Sequence, residues 1–311
     1  MGEKKPLIII GGATATGKTA LSLELARVLE TEIVSADSMQ VYKYMDVGTA
    51  KPAKAELEAV RHYMIDEFPP DYECSAAGFK ERAKAYISGI HEKGKIPIIA
   101  GGTGFYLNAL IFDTDFTKTD TNKEYREYLY GVARKEGAYF LHKMLEKADP
   151  ESAAAIHANN VKRAVRALEF LRQTGEPIST HNRREAQKES PYNYVFFALN
   201  MPRAEIYSRI NERVDKMLES GLVREVEGLL ARGYYKSLTS MQGLGYKEII
   251  KFLEGEISLP EAAELIKRAT RNFAKRQLTW LAHKSPGVVW KDAKIKVAEA
   301  AETALKDLGL S

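Results

Sequence analysis

A nine-residue stretch near the start of the chain constrains its fold more than any other segment: Gly11-Gly-Ala-Thr-Ala-Thr-Gly-Lys-Thr19. It matches the phosphate-binding pattern G-x-x-x-x-G-K-T at Gly12, Gly17, Lys18 and Thr19. The apolar run Leu7–Ile10 precedes it as a buried strand, and Thr19–Glu30 follows with the apolar spacing of a helix. Backbone N–H groups at such a helix start surround phosphate oxygens, the lysine adds a charge, and the threonine hydroxyl suits Mg²⁺. The sequence therefore predicts a P-loop that binds phosphate, without specifying ATP.

Three further apolar segments have the character of buried strands: Glu32–Ser35, Lys95–Ala100 and Tyr194–Leu199. The first leads to Asp37, and the second leads to Gly101-Gly-Thr-Gly104. Buried strands that end in small polar loops indicate a parallel sheet with its site along the carboxyl edge. We therefore predict an α/β fold, a P-loop parallel sheet flanked by helices.

A change of pattern divides the chain. Residues 113–190 form charged, helical segments without a convincing strand, which predicts an inserted helical lobe. The predicted P-loop core comprises residues 1–112 and 191–311, with helices predominating after the last strand.

Composition excludes several classes of protein. No apolar run approaches the roughly 20 residues of a membrane helix, and residues 1–6 do not begin a signal peptide. Cys74 is the single cysteine, which excludes an intramolecular disulfide and a multi-cysteine zinc site. We expect a cytoplasmic protein without membrane contact, and its net charge of +4 is compatible with a polyanionic partner.

Asp37 is the acidic residue best placed for chemistry. A carboxylate on the strand after the P-loop helix is expected to lie beside the bound phosphate, where it could accept a proton from a nucleophile. A turn or helix-capping role explains the same residue equally well. The strand Ile96–Ala100 ends in glycine and threonine rather than in the Mg²⁺-binding aspartate of a nucleoside triphosphatase, which counts against a small-molecule kinase.

Five segments, in this order, resemble the signature segments of bacterial tRNA dimethylallyltransferases: Ser35–Tyr42, Asp46–Pro52, Gly101–Tyr106, Leu244–Glu248 and Lys275–Leu281. The resemblance extends from about Pro6 to Trp290. Ala13 replaces the usual proline and Phe105 the usual leucine, and neither change affects the expected chemistry.

The resemblance implies transfer of a dimethylallyl group from dimethylallyl diphosphate to the exocyclic 6-amino group of the adenosine 3′ of the tRNA anticodon, with release of pyrophosphate. It implies that Asp37 acts as the base, with Thr103 and Arg213 as further catalytic residues and Mg²⁺ on Thr19. The diphosphate contacts would be Gly12, Ala13, Thr14, Ala15, Thr16, Gly17, Lys18 and Thr19. Without the resemblance, Thr103 could equally be a turn or cap residue and Arg213 a solvated helix charge.

The expected tRNA contacts have two origins. Clustered cations predict phosphate contacts at Lys162, Arg163, Arg166, Arg271, Lys275 and Arg276. The resemblance adds Asp37, Ser38, Met39, Gln40, Thr103, Arg126, Met241, Gln242, Gly243, Leu244, Gly245 and Tyr246. Ile266, Phe273 and Trp280 recur every seventh residue, which predicts a core face of the helix rather than a base-stacking platform.

Partners and alternatives follow from the same residues. The expected partners are the tRNA anticodon stem-loop and dimethylallyl diphosphate, and the expected oligomeric state is a monomer. An adenylate isopentenyltransferase would share the donor and differ in the acceptor. An RNA-binding module without catalysis would not need both the P-loop and Asp37.

Overall fold

The computed structural model describes residues 4–116 and 123–310. The chain forms two compact units. One comprises the residues up to Ile111 together with those from Pro191 onward, and the other comprises Phe112–Ser190. No helix of the described residues combines the length and the apolar character needed to cross a membrane.

The first unit is built on a six-stranded sheet, which confirms the predicted α/β fold. Its strands are β1 (Lys5–Gly12), β2 (Ile33–Ser35), β3 (His62–Tyr63), β4 (Ile98–Ala100), β5 (Tyr192–Asn200) and β6 (Val288–Asp292). All neighbouring pairs are parallel, in the order β3-β2-β4-β1-β5-β6. Strands β3 and β6 were not predicted, because β3 has only two residues and β6 mixes valines with charged residues instead of forming an apolar run.

Helices surround this sheet and form the second unit. The first unit begins with α1 (Lys18–Val28), α2 (Lys54–Ala59), α3 (Ala76–Glu92) and α4 (Gly104–Ile111). The second unit contains α5 (Lys123–Lys135), α6 (Ala138–Ala148), α7 (Pro150–Ala155), α8 (Val161–Thr174) and α9 (Ile178–Ala186). The first unit continues with α10 (Arg203–Glu219), α11 (Leu222–Ala231), the 3-10 turn Ser240–Gln242, α12 (Tyr246–Leu253), α13 (Leu259–Lys284) and α14 (Val297–Asp307).

The register of the central strands positions the site. Strand β1 is buried along its apolar run and pairs with β4 on one side and β5 on the other. Ala100 of β4 is opposite Ile10 of β1 and Ser35 of β2, so β2 and β4 end at the same level and β1 continues two residues further, to Gly12. The loops that follow them, which carry the P-loop, Asp37 and Gly101–Gly104, consequently begin at one edge of the sheet.

The helical unit has its own core and a buried acid that organises it. Leu129, Leu141, Leu145 and Leu168 pack together in this core. Asp149 caps α7, and its carboxylate accepts hydrogen bonds from the amide N and hydroxyl Oγ of both Ser152 and Ser179, at 2.6–3.0 Å. Burial by itself would raise the pKa of Asp149, but the hydrogen bonds from the two serines outweigh it and lower the pKa below the usual value.

Replacing Asp149 with Asn should destabilise the helical unit by about 2–3 kcal/mol, because an amide offers one acceptor oxygen where the carboxylate has two. Hydrogen exchange at pH 7 should be faster in peptides from α7 and α9. Since the pKa of Asp149 is lowered, its stabilisation is present above the ordinary aspartate pKa and is lost as pH falls through the lowered value. Glu146→Gln on the exposed side of α6 is the control, and equal exchange in both variants would contradict the assignment.

Candidate active site

The P-loop adopts a conformation that requires glycine at two positions. Gly12 has φ +145°, and a Cβ there would lie 2.9 Å from the carbonyl oxygen of Leu199. Gly17 has φ +90° and immediately precedes α1. Within the loop, the buried Thr16 hydroxyl donates to the carbonyl oxygen of Ala13 at 2.8 Å. Its own residues therefore contribute to holding the loop in shape.

Lys18 lies over this loop. Its Nζ donates to the carbonyl oxygen of Ala13 at 2.7 Å. Burial, and secondarily the charge of Arg213, lowers the pKa of Lys18 to about 8, against a smaller opposing effect of Asp37. An ammonium group with this pKa is poorly compensated within the protein, and an added anion would stabilise its charge.

Arg213 reaches the P-loop from α10. Its Nη1 donates to the Thr14 hydroxyl at 3.2 Å, across 199 residues of sequence. Burial lowers the pKa of this guanidinium, while Asp37 acts in the opposite direction. Arg213 is therefore a half-buried charge directed at the loop rather than a solvated surface arginine.

Asp37 and Thr103 are connected through the turn after β2. Oδ1 of Asp37 accepts hydrogen bonds from the amides of Met39 at 2.9 Å and Gln40 at 3.3 Å. Asp37 therefore has the predicted turn role, which involves this one oxygen. Both bonds use Oδ1, and the turn does not require Oδ2. The Thr103 hydroxyl accepts from the amide of Ser38 at 3.2 Å, which links the ends of β4 and β2.

Gln277 is a site residue whose role the sequence did not reveal. This buried side chain of α13 accepts from the amide of Thr14 through Oε1 and donates to the carbonyl oxygen of Gly102 through Nε2, both at 2.8 Å. It connects the P-loop to the loop after β4. The available signal is a polar residue on the buried face of a helix, beside Ala274 and Leu281.

Two adjoining cavities meet at these residues. A cavity of about 310 Å³ is lined by Lys18 and Thr19, and a cavity of about 360 Å³ is lined by Thr103 and a largely apolar wall. The apolar wall includes Met39, Val214, Met217, Leu244 and Ile266. Both cavities are lined by Thr14, Asp37, Thr49, Ala50, Arg213 and Phe273. A cavity lined by the P-loop and a largely apolar cavity thus share one aspartate.

The seventh-residue pattern on α13 needs a correction. Ile266 is buried and Trp280 packs edge-on against Phe105, but Phe273 lines both cavities instead of the core. The core-face interpretation is wrong for Phe273, because the buried face of α13 continues through Ala274 and turns Phe273 towards the site.

The predicted tRNA contacts of the first unit lie in different environments. Those that line the apolar cavity include Ser38, Met39, Gln242, Gly243, Leu244, Gly245 and Arg276. Met241 and Tyr246 are fully buried, so in this conformation their side chains support the site from the interior. Gln40 is occupied in donating to the carbonyl oxygens of Thr49 and Ala50. Arg271 donates to Asn211 at 2.6 Å, and Lys275 is exposed.

The predicted contacts of the helical unit are on α5 and α8. Lys162, Arg163 and Arg166 are exposed on α8. Arg126 of α5 donates through Nε to the carboxylate of Glu169 at 2.9 Å, and Glu169 is buried. The charge of Arg126 therefore compensates an interior acid of this unit.

The oxygen ligands of the site fit Mg²⁺ bound mainly through substrate. Within residues 4–116 and 123–310, no group of three or more His, Cys, Asp or Glu is arranged to hold a metal ion. Mg²⁺ commonly needs only one or two protein oxygens when substrate phosphates complete its shell. Thr19, which lines the phosphate cavity beside Asp37, can provide such an oxygen.

Comparisons with known proteins agree on one family. Residues 40–284 match the family model described as IPP transferase. A protein of Lachnoclostridium phytofermentans named tRNA dimethylallyltransferase is 53% identical over 290 residues, 93% of this chain and 92% of the relative. The crystal structure of the full-length tRNA isopentenylpyrophosphate transferase from Bacillus halodurans is 40% identical with a TM-score of 0.74, covering 99% of this chain and 97% of that one. A eukaryotic dimethylallyltransferase described as acting on tRNA is 28% identical with a TM-score of 0.80, covering 97% of this chain and 78% of that one.

Proposed function

The chain belongs to the IPP transferase family, and we infer that it is a tRNA dimethylallyltransferase. It transfers a dimethylallyl group from dimethylallyl diphosphate to the exocyclic 6-amino group of the adenosine 3′-adjacent to the anticodon and releases pyrophosphate. The observation that carries this inference within the chain is the pair of cavities, one lined by the P-loop and one largely apolar, that share Asp37 and Arg213.

We propose that the P-loop residues 12–19 bind the diphosphate of the donor. Amides at the start of α1, the ammonium of Lys18 and the guanidinium of Arg213 provide positive charge for it. Mg²⁺, held by the Thr19 hydroxyl, would neutralise phosphate charge when bound. The dimethylallyl group then occupies the adjoining apolar cavity, beside Asp37.

Asp37 is proposed as the base of the reaction. The 6-amino group of adenine is a weak nucleophile because its lone pair is delocalised into the ring. As its nitrogen bonds to the allylic carbon, the carbon–oxygen bond breaks, the bond electrons leave with pyrophosphate, and an amine proton passes to Asp37. Oδ1 of Asp37 is held by its own turn, which orients the carboxylate before substrate binds. Thr103, bonded to Ser38, fixes the other side of this turn.

The acceptor base has to leave its stack to reach Asp37, because the carboxylate lines a cavity rather than a flat surface. We propose that residues 242–246 with Arg276 border the extruded base or its neighbours, and that the buried Met241 supports them from the interior. Exposed cations bind tRNA phosphates, namely Lys275 on α13 and Lys162, Arg163 and Arg166 on α8. We propose a monomer, since the P-loop, Asp37, Thr103 and Arg213 come from one chain. We also propose a cytoplasmic location.

The defining experiment supplies purified protein with dimethylallyl diphosphate, Mg²⁺ and unmodified tRNA, with AMP in a parallel reaction. Mass analysis of the nucleosides should find dimethylallyl-adenosine in the tRNA reaction alone. Prenylated AMP would instead identify an adenylate isopentenyltransferase. Transfer to neither acceptor would overturn the proposal, and tRNA binding without product would indicate a non-catalytic RNA-binding protein.

Donor binding should depend on the charge of Lys18. The pKa of Lys18 is about 8 in the ligand-free protein, and a bound diphosphate raises it because opposite charge favours the ammonium. The affinity for dimethylallyl diphosphate should therefore fall above pH 8, towards about tenfold per pH unit, with uptake of a proton on binding. Calorimetry in buffers of different ionisation enthalpy measures both quantities.

The control for this pH dependence is Lys18→Arg, because a guanidinium keeps its charge throughout this range. Its affinity should be nearly constant from pH 7 to about pH 10. An equal decline in both proteins would show that another group controls binding.

A further inference from the structure

The loop of residues 46–50 forms the wall between two cavities of the first unit. Gly48, Thr49 and Ala50 line the apolar cavity of about 360 Å³ beside Asp37. Asp46, Val47 and Ala50 line a larger cavity of about 830 Å³ on the other side. Ala50 has φ +49°, in the left-handed region, and it borders both spaces. The position of this short loop therefore determines where the apolar cavity ends.

One carboxylate holds three successive amides of this loop. Oε2 of Glu225, in the first turn of α11, accepts hydrogen bonds from the amides of Asp46 at 2.8 Å and Val47 at 2.7 Å. Oε1 accepts from the amide of Gly48 at 3.0 Å. Consecutive N–H groups that converge in this way form an anion-binding nest, and bonds to a charged acceptor are stronger than bonds between neutral groups. Glu225 contacts the backbone, so it controls the path of the loop rather than one of its side chains.

Tyr246 fixes the same loop from within the core. Its hydroxyl donates to Oε1 of Glu225 at 2.7 Å, and its ring is fully buried. Gly48 lies directly on that ring, since a Cβ at Gly48 would be 2.6 Å from ring atoms of Tyr246. Burial, and then the nearby charge of Glu225, raises the pKa of Tyr246, so the phenol remains a donor. The loop is thus bonded on one side by a carboxylate and packed on the other against an aromatic ring.

Glu225 accepts from the amides of residues 46–48, and other bonds anchor the rest of the segment, including the side chain and the carbonyl oxygen of Asp46. The Gln40 amide donates to the carbonyl oxygens of Thr49 and Ala50 at 3.3 and 3.2 Å. The buried ammonium of Lys51 donates to the carbonyl oxygen of Tyr42 at 2.6 Å and pairs with Asp46 at 2.7 Å. Removing the Glu225 carboxylate would consequently release the amides of residues 46–48, while Lys51 still holds the side chain of Asp46 and Gln40 still holds the far end of the wall.

We propose that Glu225 is a positioning residue that, by holding residues 46–48, limits the length of the prenyl chain the site accepts. The proposal rests on the proposed function, in which the prenyl group of the donor occupies the apolar cavity. Met217 lines both cavities, so a longer chain that passes a displaced wall would still meet an apolar surface. With the wall in place, a donor one isoprene unit longer has to compete with the acceptor base for about 360 Å³.

The test compares wild-type protein with Glu225→Gln, Glu225→Ala and Tyr246→Phe. Each protein receives unmodified tRNA and an equimolar mixture of dimethylallyl and geranyl diphosphate, and mass analysis gives the ratio of the two products. Hydrogen exchange of peptides containing residues 46–48 is measured on the same proteins without substrate. Glu227→Gln is the matched control, because Glu227 is an exposed glutamate of the same helix.

The two glutamate variants should raise the geranyl-to-dimethylallyl ratio by about tenfold or more and raise the KM for dimethylallyl diphosphate more than they lower kcat. Exchange at residues 46–48 should accelerate by about tenfold or more. Tyr246→Phe should shift the product ratio and the exchange rate in the same direction by a smaller factor. Glu227→Gln should resemble wild type. A folded Glu225→Gln protein with wild-type exchange and product ratio would overturn the proposal.

Failure of the proposed function is separately visible in this design. If wild-type protein prenylates no tRNA, the proposed activity is refuted. The role of Glu225 in donor length is then refuted as well, whatever the hydrogen exchange shows. Wild-type transfer with faster exchange in Glu225→Ala and an unchanged product ratio would retain the activity and reject the limit on donor length.

Discussion

Asp37→Asn should lower the single-turnover rate of dimethylallyl transfer by about 10²–10⁴-fold, the range associated with loss of a positioned general base. The substitution keeps an acceptor oxygen that can bond the amides of Met39 and Gln40, so the turn after β2 survives. It removes the carboxylate's capacity to take the amine proton. Donor and tRNA affinities should stay within about threefold of wild type, which locates the defect in the chemical step.

The Asp37 measurement needs attention to pH and to a matched control. Asp37 raises the pKa of Lys18, so the variant should have a Lys18 pKa below the wild-type value of about 8. Rates are best compared at several pH values below 8, so that a change in the protonation of Lys18 is not mistaken for loss of the base. Asp71→Asn, at an exposed aspartate of the same unit, controls for loss of a charge. A single-turnover rate within a few-fold of wild type would remove Asp37 as the base.

Lys18→Met should have opposite effects on activity and on stability. Loss of the ammonium should lower kcat/KM by about 10²–10³-fold, because Lys18 neutralises the departing pyrophosphate. The ligand-free protein should unfold with a free energy about 1–3 kcal/mol higher at pH 7. The reason is that the pKa of Lys18 is about 8 in the folded protein, below its ordinary value of 10.5, so folding disfavours the charged form.

The lowered pKa of Lys18 also makes this difference in stability depend on pH. Between pH 8 and the ordinary lysine pKa the unfolded chain binds more protons, so the stability of wild-type protein rises with pH there. The difference in the free energy of unfolding between Lys18→Met and wild type should therefore be greatest below pH 8 and should become smaller above it. Urea denaturation in a buffer without phosphate or sulfate tests this, with Lys43→Met at an exposed position as control. A Lys18→Met protein with a lower free energy of unfolding than wild type would contradict the destabilising effect assigned to the buried charge of Lys18.

Local patterns were sufficient for the part of the fold that carries the chemistry. The P-loop, the parallel sheet and the family resemblance were predicted from contiguous segments and are confirmed. The register of β1, β2 and β4 then explains why those segments meet. The individual roles of Asp37, Thr103 and Arg213 remain predictions, as do the tRNA contacts and the division of labour between the two units.

Contacts between distant parts of the chain were not predictable in this way. The bonds from Thr14 to Gln277 and from Asp46 to Glu225 join residues 263 and 179 positions apart. A glutamine or glutamate on a helix has no local feature that distinguishes a solvated side chain from one that holds a remote loop. Phe273 was assigned to the core for the same reason, since periodicity identifies a helix face but not what that face meets.

The sequence by itself therefore determined the P-loop motif between β1 and α1, the class of fold and the family, because each is encoded in residues close together along the chain. Only the tertiary structure decided which side chains surround the shared aspartate, which hold the loops in place and how large each cavity is. Those properties depend on packing between elements far apart in sequence, where the geometry of the whole unit sets the distance between two atoms.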